Sequence, residues 1–345
     1  MKSVVLKGAL AGGRPAVEVA ELPVPSLGAG ELLVEMKACG LCGTDIEKLR
    51  GEYTAAMPIL GHEAVGVVAS VGGEGTGFRE GDRVFPHHHV SCLSCYYCKN
   101  GSETMCDSYR TSNLDPGGFS ELFRVPEWNV SHGGVRKLPE GVGFDEASLI
   151  EPVACCVRAL DRCGVEADDN VLVAGAGPVG MAHALLLASR KAKVMISDIS
   201  DDRLRFAEVR KVGSVLDAKR LDIPGEVRRL TGGRGADLAV VASGSQKAII
   251  QALRAVRKGG KVCIFGVPPK GSVLEYDISD AYNSEVSIIP SYGASDSDTA
   301  KALELIAGHA IDLGSLITHK FPIKDFQRAV ETAASGKGMK VVLTP

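Results

Sequence analysis

Four cysteines lie close together in the first half of the chain. Cys92, Cys95, Cys98 and Cys106 stand in the segment SCLSCYYCKNGSETMC. Four thiolates this close in sequence suit a tetrahedral, all-cysteine zinc site, which is the usual closed geometry of structural zinc. A closed site holds a loop and leaves no coordination position for chemistry. The pattern therefore directs attention to a second, open metal site elsewhere in the chain.

A disulfide-stapled loop is the alternative reading of these four cysteines. The other cysteines are scattered without a pairing pattern, which favours a reducing, cytoplasmic compartment over an oxidising one. These six are Cys39, Cys42, Cys155, Cys156, Cys163 and Cys263. The apolar run in MKSVVLKGALAGG is too short for a signal peptide. No segment offers the roughly 18 apolar residues of a membrane span, so we expect no membrane partner.

A second set of metal-binding residue types lies nearby. Cys42, in Cys-Gly-Thr-Asp, and His62, in Gly-His-Glu, form a thiolate and imidazole pair suited to zinc. A carboxylate would complete three protein ligands and leave one position open for water or substrate. Glu63 and Glu151 are both candidates for this third ligand. Asp45 is placed to accept a hydrogen bond from the imidazole nitrogen that faces away from the metal.

Thr44 lies two residues after Cys42 and could relay a proton from a bound alcohol. Its alternative role is to cap the helix that begins there. The Cys39/Cys42 spacing also resembles a redox pair, but the strand–helix–strand context of such pairs is missing. The run His87–His89 adjoins the four-cysteine segment, and we expect it to pack in a loop because four thiolates already satisfy tetrahedral zinc.

A glycine-rich segment follows an apolar strand pattern in the second half. VLVAGAGPVG contains Gly175-Ala176-Gly177-Pro178-Val179-Gly180, a GxGxxG that ends a strand and opens a helix. Gly175 would allow the tight turn, Gly177 the approach of a pyrophosphate, and Gly180 close packing of helix on strand. The helix N-terminus would offer free N–H groups to the phosphates, and Pro178 is tolerated in its first turn.

An acidic residue follows at the spacing expected of a ribose ligand. Asp198 ends the next apolar run, VMISD, close to the roughly 20 residues typical of this motif. A carboxylate there accepts hydrogen bonds from ribose hydroxyls and repels a 2′-phosphate, so the sequence favours NAD over NADP. Arg203 is placed to lie over the adenine or beside the ribose, or to be a surface residue of the next helix.

The elements that position these residues differ between the two halves. The first half carries short valine-rich runs broken by glycine and proline, which predicts short antiparallel strands in a barrel-like domain. From about Asp169 strand and helix patterns alternate, and the strands are continuously apolar. This predicts a parallel sheet covered on both faces. The last two helices and the strand-like KVVLT are expected to return to the first domain.

Size and charge set wider bounds. With 345 residues the chain is expected to form two domains. There are 39 basic and 42 acidic residues, giving a net charge of −3. This balance supplies no electrostatic argument for a nucleic-acid partner or an anionic membrane surface.

The motifs Cys-Gly-Thr-Asp, Gly-His-Glu, the four-cysteine segment, Glu-Pro-Val and Gly-Ala-Gly-Pro-Val-Gly occur in this order. In this the chain resembles the zinc-containing medium-chain alcohol/polyol dehydrogenases, in particular their sorbitol/threonine dehydrogenase branch. The resemblance spans essentially the whole chain. It implies an α/β fold with a GroES-like β-rich catalytic domain at 1–153 and 295–345. It also implies a Rossmann domain, a doubly wound parallel sheet, at 154–294, with a cleft between the two.

The resemblance further implies one catalytic and one structural Zn²⁺ in each subunit. Cys42 and His62 would bind the catalytic ion together with Glu63 or Glu151, directly or through water. It implies a homo-oligomer, a dimer or tetramer. The segment EVSIIPSYG is a candidate edge strand that would pair across a two-fold axis.

The predicted function is zinc-dependent oxidation of a secondary alcohol, such as a polyol or sugar-like diol, with hydride transfer to NAD. A threonine-type amino alcohol 3-dehydrogenase is the alternative enzyme. A zinc-free quinone reductase relative would lack the Cys42 and His62 motifs, and a non-enzymatic zinc protein would not change nicotinamide absorbance. The chain departs from the sorbitol enzymes at Lys48, Gly293 and Ala294, so the individual substrate stays open. We expect substrate contacts from loops near Lys48, Tyr53, Phe119 and Tyr292.

Overall fold

The structure is a computed structural model that describes residues 1–7, 16–51, 60–309 and 311–345. Tyr53, expected near the substrate, lies outside the described residues. The chain divides into two compact units. Unit 1 comprises Met1–Ala154, Ala294–His309 and Leu313–Pro345. Unit 2 comprises Cys155–Gly293 and Ala310–Asp312.

In the described ranges the strands are numbered in chain order. They are β1 (Lys2–Lys7), β2 (Ala16–Glu21), β3 (Leu32–Gly40), β4 (Glu63–Val71), β5 (Arg83–Pro86), β6 (Leu122–Val125), β7 (Val135–Lys137), β8 (Asn170–Ala174), β9 (Lys193–Asp198), β10 (Ser214–Asp217), β11 (Ala236–Val241), β12 (Val256–Ile264), β13 (Ser287–Pro290), β14 (Ile317–Pro322) and β15 (Lys340–Thr344).

The helices of the same ranges are numbered likewise. They are α1 (Gly43–Arg50), α2 (Tyr96–Lys99), α3 (Glu127–Ser131), α4 (Phe144–Ala147), α5 (Ile150–Cys163), α6 (Pro178–Ser189), α7 (Asp201–Arg210), α8 (Ile223–Leu230), α9 (Gln246–Ala255), α10 (Ile278–Asn283), α11 (Asp296–Ala307) and α12 (Phe326–Ala334). None of them is both long enough and apolar enough to cross a bilayer.

Unit 1 is built on a seven-stranded sheet in the order β14-β15-β3-β4-β5-β7, with β6 also paired to β3. All of these pairs are antiparallel except β14 with β15. Alternate residues of β3 are buried along its first half, as expected of a strand with one face on a core. The last strand, β15, pairs with the end of β3, so the C-terminal segment joins the sheet that carries the candidate metal ligands.

Unit 2 is a six-stranded, wholly parallel sheet in the order β10-β9-β8-β11-β12-β13. Counted within the unit this is the order 3-2-1-4-5-6 of a doubly wound dinucleotide-binding fold. All six residues of β11 are buried, because helices cover both faces of a parallel sheet. The predicted α/β class, with a β-rich part and a doubly wound parallel sheet, is confirmed.

The amphipathic pattern of DDRLRFAEVRKVG predicts a helix that ends at Gly213, and the observed helix ends earlier. The apolar periodicity runs to Gly213, but α7 stops at Arg210 because Lys211 adopts a left-handed conformation with φ of 52°. Its N–H donates to the carbonyl of Glu208 and closes the helix. Gly213 serves a different purpose: its φ is 150°, and a side chain there would collide with the backbone of Val194.

Candidate active site and metal centres

The thiol of Cys42 is positioned by the start of α1. Cys42 is the N-cap residue of this helix and has extended backbone angles. The carboxylate of Asp45, which is fully buried, accepts a hydrogen bond from the Cys42 backbone N–H at 3.1 Å. It also accepts one from the Gly61 N–H at 3.2 Å. Asp45 therefore ties the beginning of α1 to the segment that leads into β4.

His62 and Glu63 stand at the beginning of β4. Gly61, which precedes them, has φ of 76°, and a Cβ there would collide with Phe119. The turn into β4 thus requires glycine. One ligand atom each of Cys42, His62 and Glu63 lies within 4.8 Å of the other two. The three residues form a compact group of thiol, imidazole and carboxylate, which is a donor set suited to zinc.

Asp45 also orients the imidazole of His62. Its Oδ1 lies 3.5 Å from Nδ1 of His62, so the carboxylate faces one ring nitrogen and leaves Nε2 as the ligand atom. Burial lowers the pKa of His62, but the Asp45 carboxylate and the Cys42 thiol outweigh it and hold that pKa well above its ordinary value. Concentrated negative charge around His62 is the environment that a divalent cation would neutralise.

Lys340 is a residue of this site that sequence reasoning missed. Its ammonium forms an ion pair with Oε2 of Glu63, and both side chains are buried. A Cβ at Gly40 would collide with the Glu63 carboxylate, so glycine at the end of β3 provides the space for the pair. A lysine at the start of a terminal strand carries no motif. Only its unusual burial, visible in the folded chain, marks it.

The remaining candidates occupy different positions. Glu151 is buried near the start of α5 and lies outside the group formed by Cys42, His62 and Glu63. It is close enough that its charge contributes to raising the pKa of Glu63, after burial and against the effects of Lys340 and His62. Thr44 is half-buried and is the second residue of α1; the capping position belongs to Cys42.

Cys39 is not part of the thiol, imidazole and carboxylate group. It is fully buried on β3, and its Sγ lies 3.8 Å from the Gly40 carbonyl oxygen. Burial, followed by the charges of Asp45 and Glu63, raises the pKa of the Cys39 thiol well above its usual range. A thiol held in its protonated form is a poor nucleophile and a poor metal ligand.

Cys92, Cys95, Cys98 and Cys106 form the second group. Their four sulfur atoms lie within 4.8 Å of one another, and the Cys92–Cys106 and Cys95–Cys98 pairs are each separated by 3.5 Å. This exceeds the roughly 2.05 Å of a disulfide bond. It is close to the sulfur–sulfur separation of about 3.8 Å that is expected when four thiolates surround zinc in a tetrahedron. All four are free cysteines, so the predicted grouping is present without a disulfide staple.

The three histidines beside the four-cysteine group lie in the loop that follows β5, as expected, with His87 and His88 buried and His89 half-buried. His87 is fully buried, and its Nδ1 lies 3.0 Å from Oδ1 of Asp296. The ring centroid of His88 lies 5.0 Å from that of His62. Burial and the neighbouring histidines hold the pKa of His88 well below its ordinary value and lower that of His89 to about 3. The low pKa values favour the neutral forms of His88 and His89, and His88 packs beside the imidazole of His62.

The glycine-rich segment joins β8 to α6 in unit 2. Gly175 has φ of 112°, Gly177 is the N-cap of α6, and Pro178 occupies its first turn. A Cβ at Gly180 would collide with the Gly175 carbonyl, so the third glycine permits the close packing of helix on strand. Val179 lies in the same first turn, half-buried. The segment follows the central strand β8, where the order of strands reverses, which is the binding crevice of such sheets.

Asp198 ends β9 beside this segment. Its Oδ2 accepts a hydrogen bond from the Ala176 N–H at 2.7 Å, and its Oδ1 accepts one from the Ser200 N–H at 2.8 Å. Arg203 extends to the same place, with its guanidinium 3.6 Å from the Asp198 carboxylate and within contact distance of the Cβ position of Gly177. The structure thus brings Gly177, Asp198 and Arg203 together.

The residues expected near the substrate belong to both units. Phe119 is buried and packs its ring on Phe326, with centroids 5.4 Å apart. Lys48 is half-buried on α1. Tyr292 belongs to unit 2 and is 37% exposed.

Comparison with known proteins gives matches along both halves. The model of the alcohol dehydrogenase GroES-like domain matches residues 28–137, and that of the zinc-binding dehydrogenase family matches 178–308. A sorbitol dehydrogenase of Halalkalibacterium halodurans is 31% identical over 332 residues, covering 95% of each chain. An L-threonine 3-dehydrogenase of Chromobacterium violaceum is 29% identical, covering 95% of this chain and 96% of its own.

A solved structure with the same fold also matches the chain along its whole length. A protein described as a zinc-binding dehydrogenase of Sinorhizobium meliloti 1021, bound to NADP, superposes with a TM-score of 0.86 at 27% identity. The match covers 100% of this chain and 99% of the other. With the paired metal-ligand groups and the dinucleotide-binding sheet, these matches show that the chain belongs to the zinc-dependent medium-chain alcohol/polyol dehydrogenase family and is an oxidoreductase.

Proposed function

We propose that this chain oxidises a secondary alcohol of the polyol or diol class with NAD, using one catalytic and one structural zinc ion. The observation that carries the proposal is the convergence of Cys42, His62 and Glu63 in unit 1, with Asp45 orienting the imidazole. We assign the catalytic domain to unit 1 and the cofactor domain to unit 2, in keeping with the boundaries expected at 1–153, 154–294 and 295–345.

The donor sets fit the ions that they would hold. Three ligands of mixed type leave a position for substrate, whereas the four thiols beside α2 fill a tetrahedron and leave none. When bound, the catalytic ion supplies Lewis-acid polarisation of the substrate oxygen, and the nicotinamide accepts the hydride. We assign the third ligand to Glu63, because it belongs to the compact group and Glu151 does not.

The protein's own residues orient the reactants and carry the proton. Asp45 fixes the tautomer and direction of His62. We assign to Thr44, half-buried two residues after Cys42, the role of passing the hydroxyl proton away from the substrate. Lys340 neutralises Glu63 without occupying both of its oxygens, so the carboxylate keeps one oxygen for the metal. The neutral, buried His88 excludes water from the side of the group that it covers.

The cofactor preference is assigned to Asp198. Its carboxylate accepts two backbone N–H groups and retains lone pairs for ribose hydroxyls. A 2′-phosphate at the same place would meet a fixed negative charge. The relative from Sinorhizobium meliloti was solved with NADP; comparing kcat/KM for NAD and NADP tests the preference of the present chain. Arg203, beside Asp198, would contact the adenosine part of the cofactor.

The second candidate is a threonine-type amino alcohol 3-dehydrogenase, which is favoured by the 29% identity to an L-threonine 3-dehydrogenase. The test is NAD(P)H formation with secondary alcohols, vicinal diols, polyols and L-threonine. Each would be measured with NAD and NADP, before and after removal of metal by a chelator. Chelator-sensitive reduction of NAD by diols or polyols supports the first function. Reduction of NAD by L-threonine alone would replace it with the second, and a zinc-loaded protein inactive on every class would contradict both.

Homo-oligomerisation is proposed through β13. This strand is the edge of the unit 2 sheet, and Ile288 on it is 39% exposed; Tyr282 on the preceding helix α10 is 83% exposed. An open apolar edge is stabilised by pairing with a second copy. Light scattering after gel filtration should give a dimer or tetramer, and Ile288→Lys should shift it toward monomer. A monomeric parent protein would overturn this assignment.

A further inference from the structure

Unit 2 contains a cavity that is separate from its glycine-rich segment. It has a volume of about 680 Å³ and lies between α8, α9, the start of β12 and α10. Val256, the first residue of β12, lines it, as does Arg234 just before β11. Since the strands are parallel, their N-terminal ends all lie on the same side of the sheet. The glycine-rich segment follows the C-terminal end of β8. The cavity and this segment therefore lie at opposite ends of the strands of one sheet.

The cavity is strongly basic although the chain as a whole carries a net charge of −3. Only two carboxylates, Asp222 and Asp280, are among its lining residues. Six cationic side chains line it: Arg228, Arg234, Lys247, Arg254, Arg257 and Lys258. They come from α8, the turn before β11, α9 and the start of β12, which are separate elements that follow one another along the chain. Tertiary folding therefore concentrates the positive charge.

Two of these cations share a single carboxylate that lies behind the cavity wall. Arg257 donates from Nε to Oδ1 of Asp237 at 2.6 Å, and Arg234 donates from Nη2 to Oδ2 of the same residue at 2.9 Å. These contacts, together with hydrogen bonds from Asn170, outweigh burial and lower the pKa of Asp237. One buried carboxylate thus serves two guanidinium groups and anchors them at the cavity wall.

The other four cations have no acidic partner in the described part of the chain. Arg228 donates only to the carbonyl oxygens of Pro224 and Arg254, the latter at 3.2 Å from Nη2. The side chains of Lys247, Arg254 and Lys258 form neither a hydrogen bond nor an ion pair with described residues. Like charges gathered around one concavity raise its potential and attract counter-ions.

From this arrangement we propose that the basic cavity is a binding site for a small phosphate-bearing anion, separate from the nicotinamide cofactor. Guanidinium groups recognise phosphate oxygens through paired, charge-assisted hydrogen bonds, and lysines add point charges. A multiply charged group such as a diphosphate matches the uncompensated cations better than a single carboxylate does. The cavity volume is within the about 300–1,000 Å³ typical of small-ligand sites.

The test is calorimetric titration of inorganic pyrophosphate into the zinc-loaded protein with NADH at saturation. NADH occupies the glycine-rich segment, so remaining binding reports on a different site. The test variant is Arg254→Gln/Lys258→Gln. Its matched control is Arg229→Gln/Lys219→Gln, which removes the same two charges from exposed positions of unit 2 outside the cavity. If pyrophosphate extracts zinc, the heat of extraction is the same in the test variant and in the control variant. A difference between the two variants therefore reports on the cavity.

We expect about one pyrophosphate per chain in the parent protein and in the control. The test variant should bind at least roughly tenfold more weakly, the effect of losing one charge-assisted contact. Absence of binding under NADH, or equal affinity in the two variants, would overturn the proposal. A parallel titration with ADP separates the sources of the diphosphate: tighter binding than pyrophosphate assigns the site to a nucleotide, and weaker binding assigns it to the inorganic group.

Discussion

The buried ammonium of Lys340 forms an ion pair with the buried carboxylate of Glu63, directly beside the imidazole of His62. This contact joins the last strand of the chain to the strand that begins with a metal ligand. Negative charge from Glu63, Asp45 and Cys42 is concentrated around His62, and Lys340 offsets part of it. We therefore consider Lys340 a positioning residue of the metal centre.

Removing only the ammonium should be strongly destabilising. Lys340→Met leaves the carboxylate buried without a partner, a change that typically costs about 3–5 kcal/mol. Glu63→Gln/Lys340→Met should recover most of that loss, because neither charge is then unpaired. Denaturant unfolding of the metal-free proteins measures both, because bound zinc would itself pair with the Glu63 carboxylate. Lys337→Met, at an exposed lysine nearby, is the control. If the double variant is no more stable than Lys340→Met, the pair does not act as described.

Cys42→Ala should remove the catalytic centre alone. The zinc content should fall by one ion per chain, measured by elemental analysis. Turnover should fall at least about a thousandfold, since Lewis-acid stabilisation contributes several kcal/mol. NADH binding, followed by fluorescence, should be retained. Cys39→Ala is the control, because that thiol is buried, protonated and outside the ligand group. Full activity of a Cys42→Ala protein free of metal would refute the assignment.

Cys106→Ser should act on the second group and reveal a structural role. We expect loss of one zinc ion per chain and a lower thermal midpoint, because metal binding contributes directly to folding. The remaining folded protein should keep the catalytic ion. Cys155→Ser, at a half-buried cysteine outside both groups, should change neither zinc content nor midpoint appreciably. An unchanged zinc content in Cys106→Ser would contradict a four-thiolate site.

Asp198→Asn should relax the choice of cofactor. The amide keeps an acceptor oxygen for the Ala176 N–H but removes the charge that repels a 2′-phosphate. The ratio of kcat/KM for NAD to that for NADP should fall roughly ten- to a hundredfold, the value of a charge-assisted hydrogen bond. Asp201→Asn, at an exposed acid three residues on, should leave the ratio unaltered. An unchanged ratio in Asp198→Asn would remove the ribose role.

His183 should make the stability of the protein depend on pH. Burial lowers the pKa of this imidazole from 6.5 to about 4. The folded state then binds fewer protons than the unfolded state between these values, so the free energy of unfolding falls as pH decreases from about 7 to 4. The loss should reach up to about 3 kcal/mol. Unfolding midpoints at pH 7 and pH 5 should differ less in His183→Gln than in the parent or in His132→Gln. Equal pH dependence in all three would contradict this.

The chemistry that is local in the chain was predictable from the amino-acid sequence. The four cysteines are grouped because their spacing confines them to one short loop. The glycines of VLVAGAGPVG and Asp198 meet because a strand, a tight turn and a helix place them with little help from distant residues. The family resemblance, the fold class and the reaction type follow from such motifs, and the comparisons confirm them.

Tertiary structure decided the contacts that depend on strand register. Lys340 reaches Glu63 only because β15 pairs with β3 and β3 with β4, which brings the end of the chain beside Gly40. Glu151 stands on α5, outside these strands, and the fold leaves it out of the ligand group. The basic cavity also depends on tertiary structure, because its cationic side chains come from four elements that pack together at one end of the parallel strands. No local sequence pattern encodes these long-range contacts. They are selected by the free energy of burying whole strands and helices against one another.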